Sequence, residues 1–255
     1  MFATDEVASQ VVGFNTLNTG DSQVMLGMSF EGIGDSTGVA LKELKGDFED
    51  FDNIQVARVE FNEEEDSNEL CFTDYFYLAS GDDGGSAPEE TGAGWYLDDM
   101  TTPAFDETIP LGSAVWFISS SGSPKGITVA GQVRGSAYTH PDFDESMEMV
   151  CSAFPVSFNP NAADWQGLED FDNIQVARVE WNEEEGSNDL CFTDYFYLAS
   201  SEDGGSAPEE TGAGWYLDDM TSLVDSGIAD PGQGFWLITA SPANVKLVEQ
   251  SPIAK

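Results

Sequence analysis

Short apolar runs, separated by stretches rich in Gly, Ser, Asn and Asp, follow one another along the whole chain. In the first half these runs are VVGFNTL, QVMLGMSF, NIQVARVEF, LCFTDYFYLA, GWYLDD, AVWFIS and GITVAGQVRG. Alternation of apolar and polar residues over such lengths indicates half-buried β-strands. Only Val39–Leu44 is ambiguous between one helical turn and a short strand. The spacing is typical of an antiparallel all-β sandwich or barrel.

One long block of this pattern occurs twice. Residues 49–102 recur at residues 169–222 with six differences, namely Phe61/Trp181, Asp66/Gly186, Glu69/Asp189, Gly81/Ser201, Asp82/Glu202 and Thr102/Ser222. A fixed period of this kind indicates duplicated structural units. We therefore predict two tandem antiparallel β-sandwich or barrel-like domains of about seven strands each, at residues 1–130 and 131–255. We expect residues 127–135 to close the first domain and open the second, which would join them rigidly.

The repeated aromatic strand carries large side chains on both faces. Phe72 and Phe76 alternate with Tyr75 and Tyr77, and alternate residues of a strand point to opposite sides. Such a strand either lies between a core and a second contact surface or is fully buried.

The charge of the chain narrows its partners. Eight basic and 48 acidic residues give a formal net charge of −40. This charge repels nucleic acid and anionic membranes, so we expect neither as a partner. The acidic residues form a solvated coat, collect divalent cations, or prevent wrong associations.

Neither a membrane span nor a signal peptide is visible in the sequence. It has no apolar run long enough to span a membrane. The opening residues Met1–Asp5 lack the basic start and apolar stretch of a signal peptide. If the numbering is that of a mature chain, a signal peptide has already been removed.

The three cysteines leave two alternatives. Cys71 and Cys191 are equivalent in the two copies, whereas Cys151 aligns with Gly27. Either Cys151 and Cys191 form a disulfide, or all three thiols are free and buried.

Carboxylates of the repeated acidic loops predict a metal site. Calcium is bound by six to eight oxygen atoms, which loops often supply. Twelve residues provide such oxygens, although their spacing is not that of an EF-hand: Asp82, Asp83, Glu89, Glu90, Asp98, Asp99, Glu202, Asp203, Glu209, Glu210, Asp218 and Asp219. Ca²⁺ is the one cofactor candidate, and a solvated acidic loop is the alternative.

We do not expect an enzyme. The single histidine, His140, lies in a turn and is expected on the surface without a catalytic partner. Acidic pairs of the glycosidase type would be present twice. Trp95 and Tyr96, repeated as Trp215 and Tyr216, are candidate platforms for stacking a sugar.

Several of these motifs resemble those of a known group. VVGFNT, DNIQV, FTDYFYLA, GWYLDD, IPLGSAVWF and ITVAGQV are similar to motifs of secreted tandem β-repeat proteins from bacteria of the Verrucomicrobia–Lentisphaerae type. The resemblance covers nearly the whole chain. It implies a β-repeat fold and export to an extracellular or cell-surface location, with the signal peptide removed. It implies no activity, because the group has no settled function.

These observations lead to two functional hypotheses. The first is an exported structural protein that self-assembles head to tail into a filament or surface layer. Its termini would pair as strands, with contacts from Val11, Val12, Phe14, Val245, Leu247 and Val248. The alternative is a tandem carbohydrate-binding module, assisted by calcium, whose partner is a glycan.

Overall fold

A computed structural model describes residues 11–18, 23–33, 38–62, 67–143, 146–182 and 187–253. It does not describe the side chains of residues 58–62, 67–69, 83, 179–182 and 187–188. Within these limits the chain forms seventeen β-strands and five single-turn 3-10 helices. The all-β fold predicted from the sequence is confirmed.

The first unit comprises nine strands: β1 (Val12–Asn18), β2 (Gln23–Gly27), β3 (Gly38–Ala40), β4 (Asn53–Asn62), β5 (Ser67–Leu78), β6 (Gly94–Leu97), β7 (Thr108–Pro110), β8 (Ala114–Ile118) and β9 (Gly126–Gln132). The second unit comprises eight: β10 (Tyr138–Thr139), β11 (Met147–Cys151), β12 (Asp164–Gln166), β13 (Asn173–Asn182), β14 (Ser187–Leu198), β15 (Gly214–Leu217), β16 (Gly234–Ile238) and β17 (Lys246–Glu249). The 3-10 helices are Leu41–Glu43, Gly81–Asp83, Pro160–Ala162, Ser201–Asp203 and Pro242–Asn244. The ambiguous segment at Val39 thus contains the end of a strand followed by a helical turn.

Each unit is built on a five-stranded antiparallel sheet. The strand orders are β2-β8-β4-β5-β6 and β11-β16-β13-β14-β15. The long hairpins have the same register, since Asn53 lies opposite Phe76 and Asn173 lies opposite Phe196. Smaller sheets complete the architecture, with orders β1-β9, β3-β7 and β10-β17-β12.

One face of each large sheet packs on the smaller sheets of its own unit. In the first unit, Ile54 of β4 and Phe117 of β8 join Ile109 of β7 and Val129 of β9 in one buried cluster. These residues alternate with residues of the opposite face, as the period of a strand requires. The core of each unit therefore lies between a large sheet and smaller strands.

The opposite faces of the two large sheets pack against each other. We call this contact the seam. Its buried cluster includes Met25 and Trp116 from the first unit and Met149 and Trp236 from the second. Phe72 of β5 packs against this cluster, so the second contact surface predicted for the aromatic strand is the seam. Burial of each large apolar side chain contributes about 1.5–3 kcal/mol.

The backbone contacts across the seam have two-fold symmetry: exchanging the two units converts each contact into its equivalent. The amide of Gly27 donates to the carbonyl of Gly232 at 2.8 Å, and the amide of Cys151 donates to the carbonyl of Gly112, also at 2.8 Å. Bridges between Leu26 and Gln233 and between Ser113 and Val150 repeat the relation. Equivalent positions of the two units therefore meet near one axis.

The expectation that residues 127–135 form a strand shared by both units is wrong. β9 pairs with β1 over its whole length, from Gln132 opposite Val12 to Gly126 opposite Asn18. Its further bridges, to Glu31 and Lys45, also stay in the first unit. The second unit does not need β9, because its own strand β10 occupies the place next to β17.

The expectation that the C-terminal strand offers a free edge is also wrong. β17 is the central strand of its sheet and pairs with β10 on one side and β12 on the other. Val245 and Leu247 are 1% and 0% exposed, and Val248 is half-buried. Another chain could pair with β17 only by displacing one of these neighbours.

A residue exchange tests the geometry of the seam. A Cβ atom on Gly27 would lie 2.5 Å from Cys151 Cβ, so Gly27→Cys should cost about 1–3 kcal/mol of unfolding free energy through overpacking. Because the two positions are equivalent, the double variant Gly27→Cys/Cys151→Gly should recover most of that loss. Urea unfolding measures both effects. A double variant as unstable as Gly27→Cys would contradict the two-fold contact.

Candidate functional site

β1 presents an exposed edge without charge. Val11, Val12 and Phe14 are 49%, 60% and 72% exposed. Within the described part of the chain β1 pairs only with β9, so no described strand covers its other edge. Neither strand contains a charged residue, and natural edge strands usually carry charge, proline or a bulge that prevents pairing.

The structure does not gather the predicted metal ligands. All eleven of these carboxylates whose side chains are described are exposed, namely Asp82, Glu89, Glu90, Asp98, Asp99, Glu202, Asp203, Glu209, Glu210, Asp218 and Asp219. The side chain of Asp83 lies outside the described residues. Among the side chains that are described, no three of His, Cys, Asp or Glu come close enough to hold a metal ion.

Two of these exposed carboxylates, Asp99 and Asp219, stabilise turns. Asp99 accepts hydrogen bonds from the Thr101 amide at 2.8 Å, the Thr102 amide at 2.7 Å and the Thr102 hydroxyl at 2.6 Å. Asp219 does the same with Thr221 and Ser222. The Thr102 and Ser222 hydroxyls, followed by the backbone amides, lower the pKa of these carboxyl groups to about 2.

The predicted sugar platforms are core residues. Trp95 and Trp215 are 2% and 1% exposed, and both tyrosines are fully buried. The Tyr96 hydroxyl donates to the Gly92 carbonyl at 2.5 Å and lies 2.6 Å from the Thr91 hydroxyl. The residues therefore anchor the preceding loop and leave no ring for stacking, so the glycan hypothesis loses its proposed platform.

The predicted disulfide is absent and the cysteines are free. Cys151 lies on β11 and Cys191 on β14, with β16 and β13 between them. Three strand spacings of about 4.8 Å separate the residues by roughly 14 Å, whereas a disulfide requires Cα atoms within about 7 Å. Cys151 is buried in the seam, and this burial raises the pKa of its thiol. Cys71 and Cys191 are half-buried, so the alternative of three buried thiols holds only for Cys151.

His140 is not a surface residue but part of a buried polar network at the seam. It is 5% exposed, and its Nε2 lies 2.7 Å from Oε1 of Glu249. Glu249 also accepts hydrogen bonds from the Ser152 hydroxyl at 2.7 Å and the Ala153 amide at 2.9 Å. Gly112 of the first unit packs on the imidazole ring, since a Cβ there would lie 2.7 Å from His140 Cε1.

One sequence signal for this network was available. Val245, just before β17, alternates with Leu247 and Glu249 of that strand, and all three are buried. A carboxylate in an inward position needs partners, and the only histidine was a candidate. The partner could not be identified from spacing alone, because His140 is 109 residues away.

This network holds three chain segments together, at His140, at Ser152 and Ala153, and at Glu249. Ser152, His140 and Glu249 are all less than 10% exposed. The contacts satisfy the buried carboxylate and fix the seam.

No protein-family model matches the chain, and neither a curated protein nor a solved structure is significantly similar to it. The described residues also contain no helix with the length and apolar character needed to cross a membrane.

The turn formed by Asp219 predicts a pH dependence. Its pKa in the folded chain is lowered from 3.8 to about 2, so the stability that it contributes is present above pH 3.8 and is lost as the pH falls toward 2. Asp219→Ala should reduce the unfolding free energy at pH 6, and the difference from the wild type should disappear near pH 2. Chemical unfolding at several pH values measures it. Equal differences at pH 6 and pH 2 would contradict the assignment, and Asp218→Ala, at an exposed neighbour, is the matched control.

Glu249→Gln tests the buried network. Glutamine has one acceptor oxygen, so its amide group would face a donor and leave buried groups unpaired. We expect a loss of about 3 kcal/mol in unfolding free energy. The control Glu209→Gln changes an exposed side chain and should cost less than about 0.5 kcal/mol. Equal effects of the two substitutions would show that the network does not stabilise the chain.

Proposed function

We propose that the chain is an exported structural protein that self-associates in a filament or surface layer, with the open edge of β1 as its first contact. The observation that carries the proposal is the exposed, uncharged edge of β1. The proposal keeps the structural hypothesis but replaces the pairing of N- and C-terminal strands, because β17 has neighbours on both sides.

Two copies of β1 can pair in an antiparallel arrangement. With seven residues, β1 is longer than the edge strands of both five-stranded sheets, which have four or five. Pairing around a two-fold axis would place the same residues on both sides of the contact and form a continuous β9-β1-β1-β9 sheet. Backbone hydrogen bonds then supply strength, and the exposed Phe14, together with Val12, supplies apolar contact.

The charge distribution directs association to this edge. Two chains with a net charge of −40 repel each other over most of their surfaces. The β1 edge is a place where close approach adds no like charge to the contact itself. At physiological ionic strength, salt largely screens the repulsion between charges more than about 8 Å apart. Association should therefore strengthen as salt is added.

The corresponding edge of the second unit is much shorter. β10 pairs with β17 through only two residues, Tyr138 and Thr139. A strand this short offers few free backbone groups to another chain. The difference between the two units favours β1 as the strand that makes the contact.

Export is supported by the resemblance to secreted β-repeat proteins.

Phe14→Lys tests this function. Removing a central aromatic anchor typically costs about 2 kcal/mol of binding free energy, and the substitution should weaken association about 30-fold in sedimentation equilibrium. Val156→Lys is a charge-matched control, since Val156 is 40% exposed and lies outside β1. Wild-type chains that stay monomeric at all concentrations and salt levels would refute the proposed function. Equal effects of both substitutions would refute the role of β1.

A further inference from the structure

Both units expose a phenylalanine in a strained backbone conformation. Phe51 and Phe171 have φ values of 69° and 72°, in the left-handed region that non-glycine residues rarely adopt. Such a conformation costs of the order of 1 kcal/mol. Their side chains are 44% and 51% exposed. The same position of each unit therefore combines an unfavourable backbone conformation with an exposed aromatic ring.

Neighbouring aspartates hold the second of these phenylalanines outward. The Phe171 amide donates to the Tyr197 carbonyl at 2.8 Å. Asp172 accepts from the amides of Glu169 at 2.8 Å and Ala240 at 3.0 Å. On the other side, Asp170 accepts from the Ala199 amide at 2.5 Å. Both carboxylates point toward backbone amides, which fixes the loop with its phenyl ring exposed. We call residues 169–172 the Phe171 loop.

The Phe171 loop is more negatively charged than residues 49–52, the equivalent loop of the first unit, whose carboxylates are partly neutralised by a lysine. In the first unit Lys125 lies 3.1 Å from Glu49 and 3.0 Å from Asp52. Within the described residues, no basic side chain forms a salt bridge with Glu169, Asp170 or Asp172. Burial raises the pKa of Asp172.

The first unit contains a complementary pocket of 340 Å³. Phe48, Tyr77, Trp95 and Phe105 contribute aromatic side chains to its walls, and Phe48 packs on Trp95 with ring centroids 5.1 Å apart. Two of the eight basic residues of the chain also line it, namely Lys42, which forms an ion pair with Asp106, and Lys45. An apolar cavity of about 150 Å³ accommodates benzene, so this pocket has room for a phenyl ring.

The second unit packs different residues on its equivalent tryptophan. The ring of Trp165 lies 5.4 Å from that of Trp215. Asn161 donates to the carbonyls of Trp215 at 3.0 Å and Val224 at 2.8 Å. The exposed phenylalanine with the more acidic surroundings, Phe171, lies in the second unit, whereas the pocket lies in the first.

We propose that the Phe171 loop of one chain inserts into the lysine-lined aromatic pocket of another copy. This inference rests on the proposed self-association and supplies a second contact for it. The contact joins different surfaces of the two chains, so it leaves a free pocket at one end and a free loop at the other. Repetition produces an open chain of subunits, whereas pairing of β1 with β1 alone ends at a dimer.

Two complementary variants test this contact in the Phe14→Lys background, which weakens β1 pairing. Phe171→Asn removes the ring and retains a residue that tolerates positive φ. Lys42→Glu/Lys45→Glu reverses the charge beside the pocket. Each variant alone should associate at least tenfold more weakly than the Phe14→Lys parent. An equimolar mixture should form a one-to-one heterodimer, because each partner retains the element that the other lacks. Sedimentation velocity and native mass spectrometry detect it.

The matched control is Phe51→Asn, which changes the equivalent loop of the first unit and should leave association of the parent unchanged. Association of the Phe171→Asn variant at parental strength, or a mixture without heterodimer, would overturn the inference. A wild type that associates while the Phe14→Lys parent stays monomeric would overturn it and leave the role of β1 intact. A parent that associates like the wild type but loses association with Phe171→Asn would refute the role of β1 and support the pocket contact.

Discussion

Both faces of each five-stranded sheet must be buried, and most of the structure depends on this constraint. Val115 and Phe117 of β8 point into the core of the first unit, whereas Ala114 and Trp116 point into the seam. A unit separated from its neighbour would expose a contiguous apolar surface, of a kind that soluble monomers rarely present. The seam is thus part of the fold, and the polar network around Glu249 lies where the two units meet.

The carboxylates of this chain act locally more than collectively. Asp50, Asp52 and Asp99 accept hydrogen bonds from nearby amides or hydroxyls and define the loops around them. Of the predicted metal ligands, Asp99 and its equivalent Asp219 are thereby engaged in turn formation. The many exposed carboxylates form a coat around a few uncharged or basic surfaces, which are the places where close contact with another chain costs least.

Local features of the fold were accessible from the sequence, whereas features that depend on sheet order were not. Alternation placed Ile54 and Val56 on the inward side of β4, and both belong to or pack against the first core. The separation of Cys151 from Cys191 depends on two strands inserted between them, which no local pattern reveals. Likewise, burial of Trp95 depends on Phe48 and Tyr77, from other parts of the chain, because an aromatic residue on a short strand looks the same whether it faces a core or a ligand.

The contact between Gly27 and Cys151 has a consequence for how such a chain can arise. A symmetric homodimer of one unit would place two identical residues near the axis. Two glycines would leave a gap there, and two cysteines would collide, because even a bare Cβ on Gly27 would lie 2.5 Å from Cys151 Cβ. Joining both units in one polypeptide allows one position to lose its side chain while the other keeps it. Covalent linkage here permits a complementary pair of residues that identical subunits cannot encode.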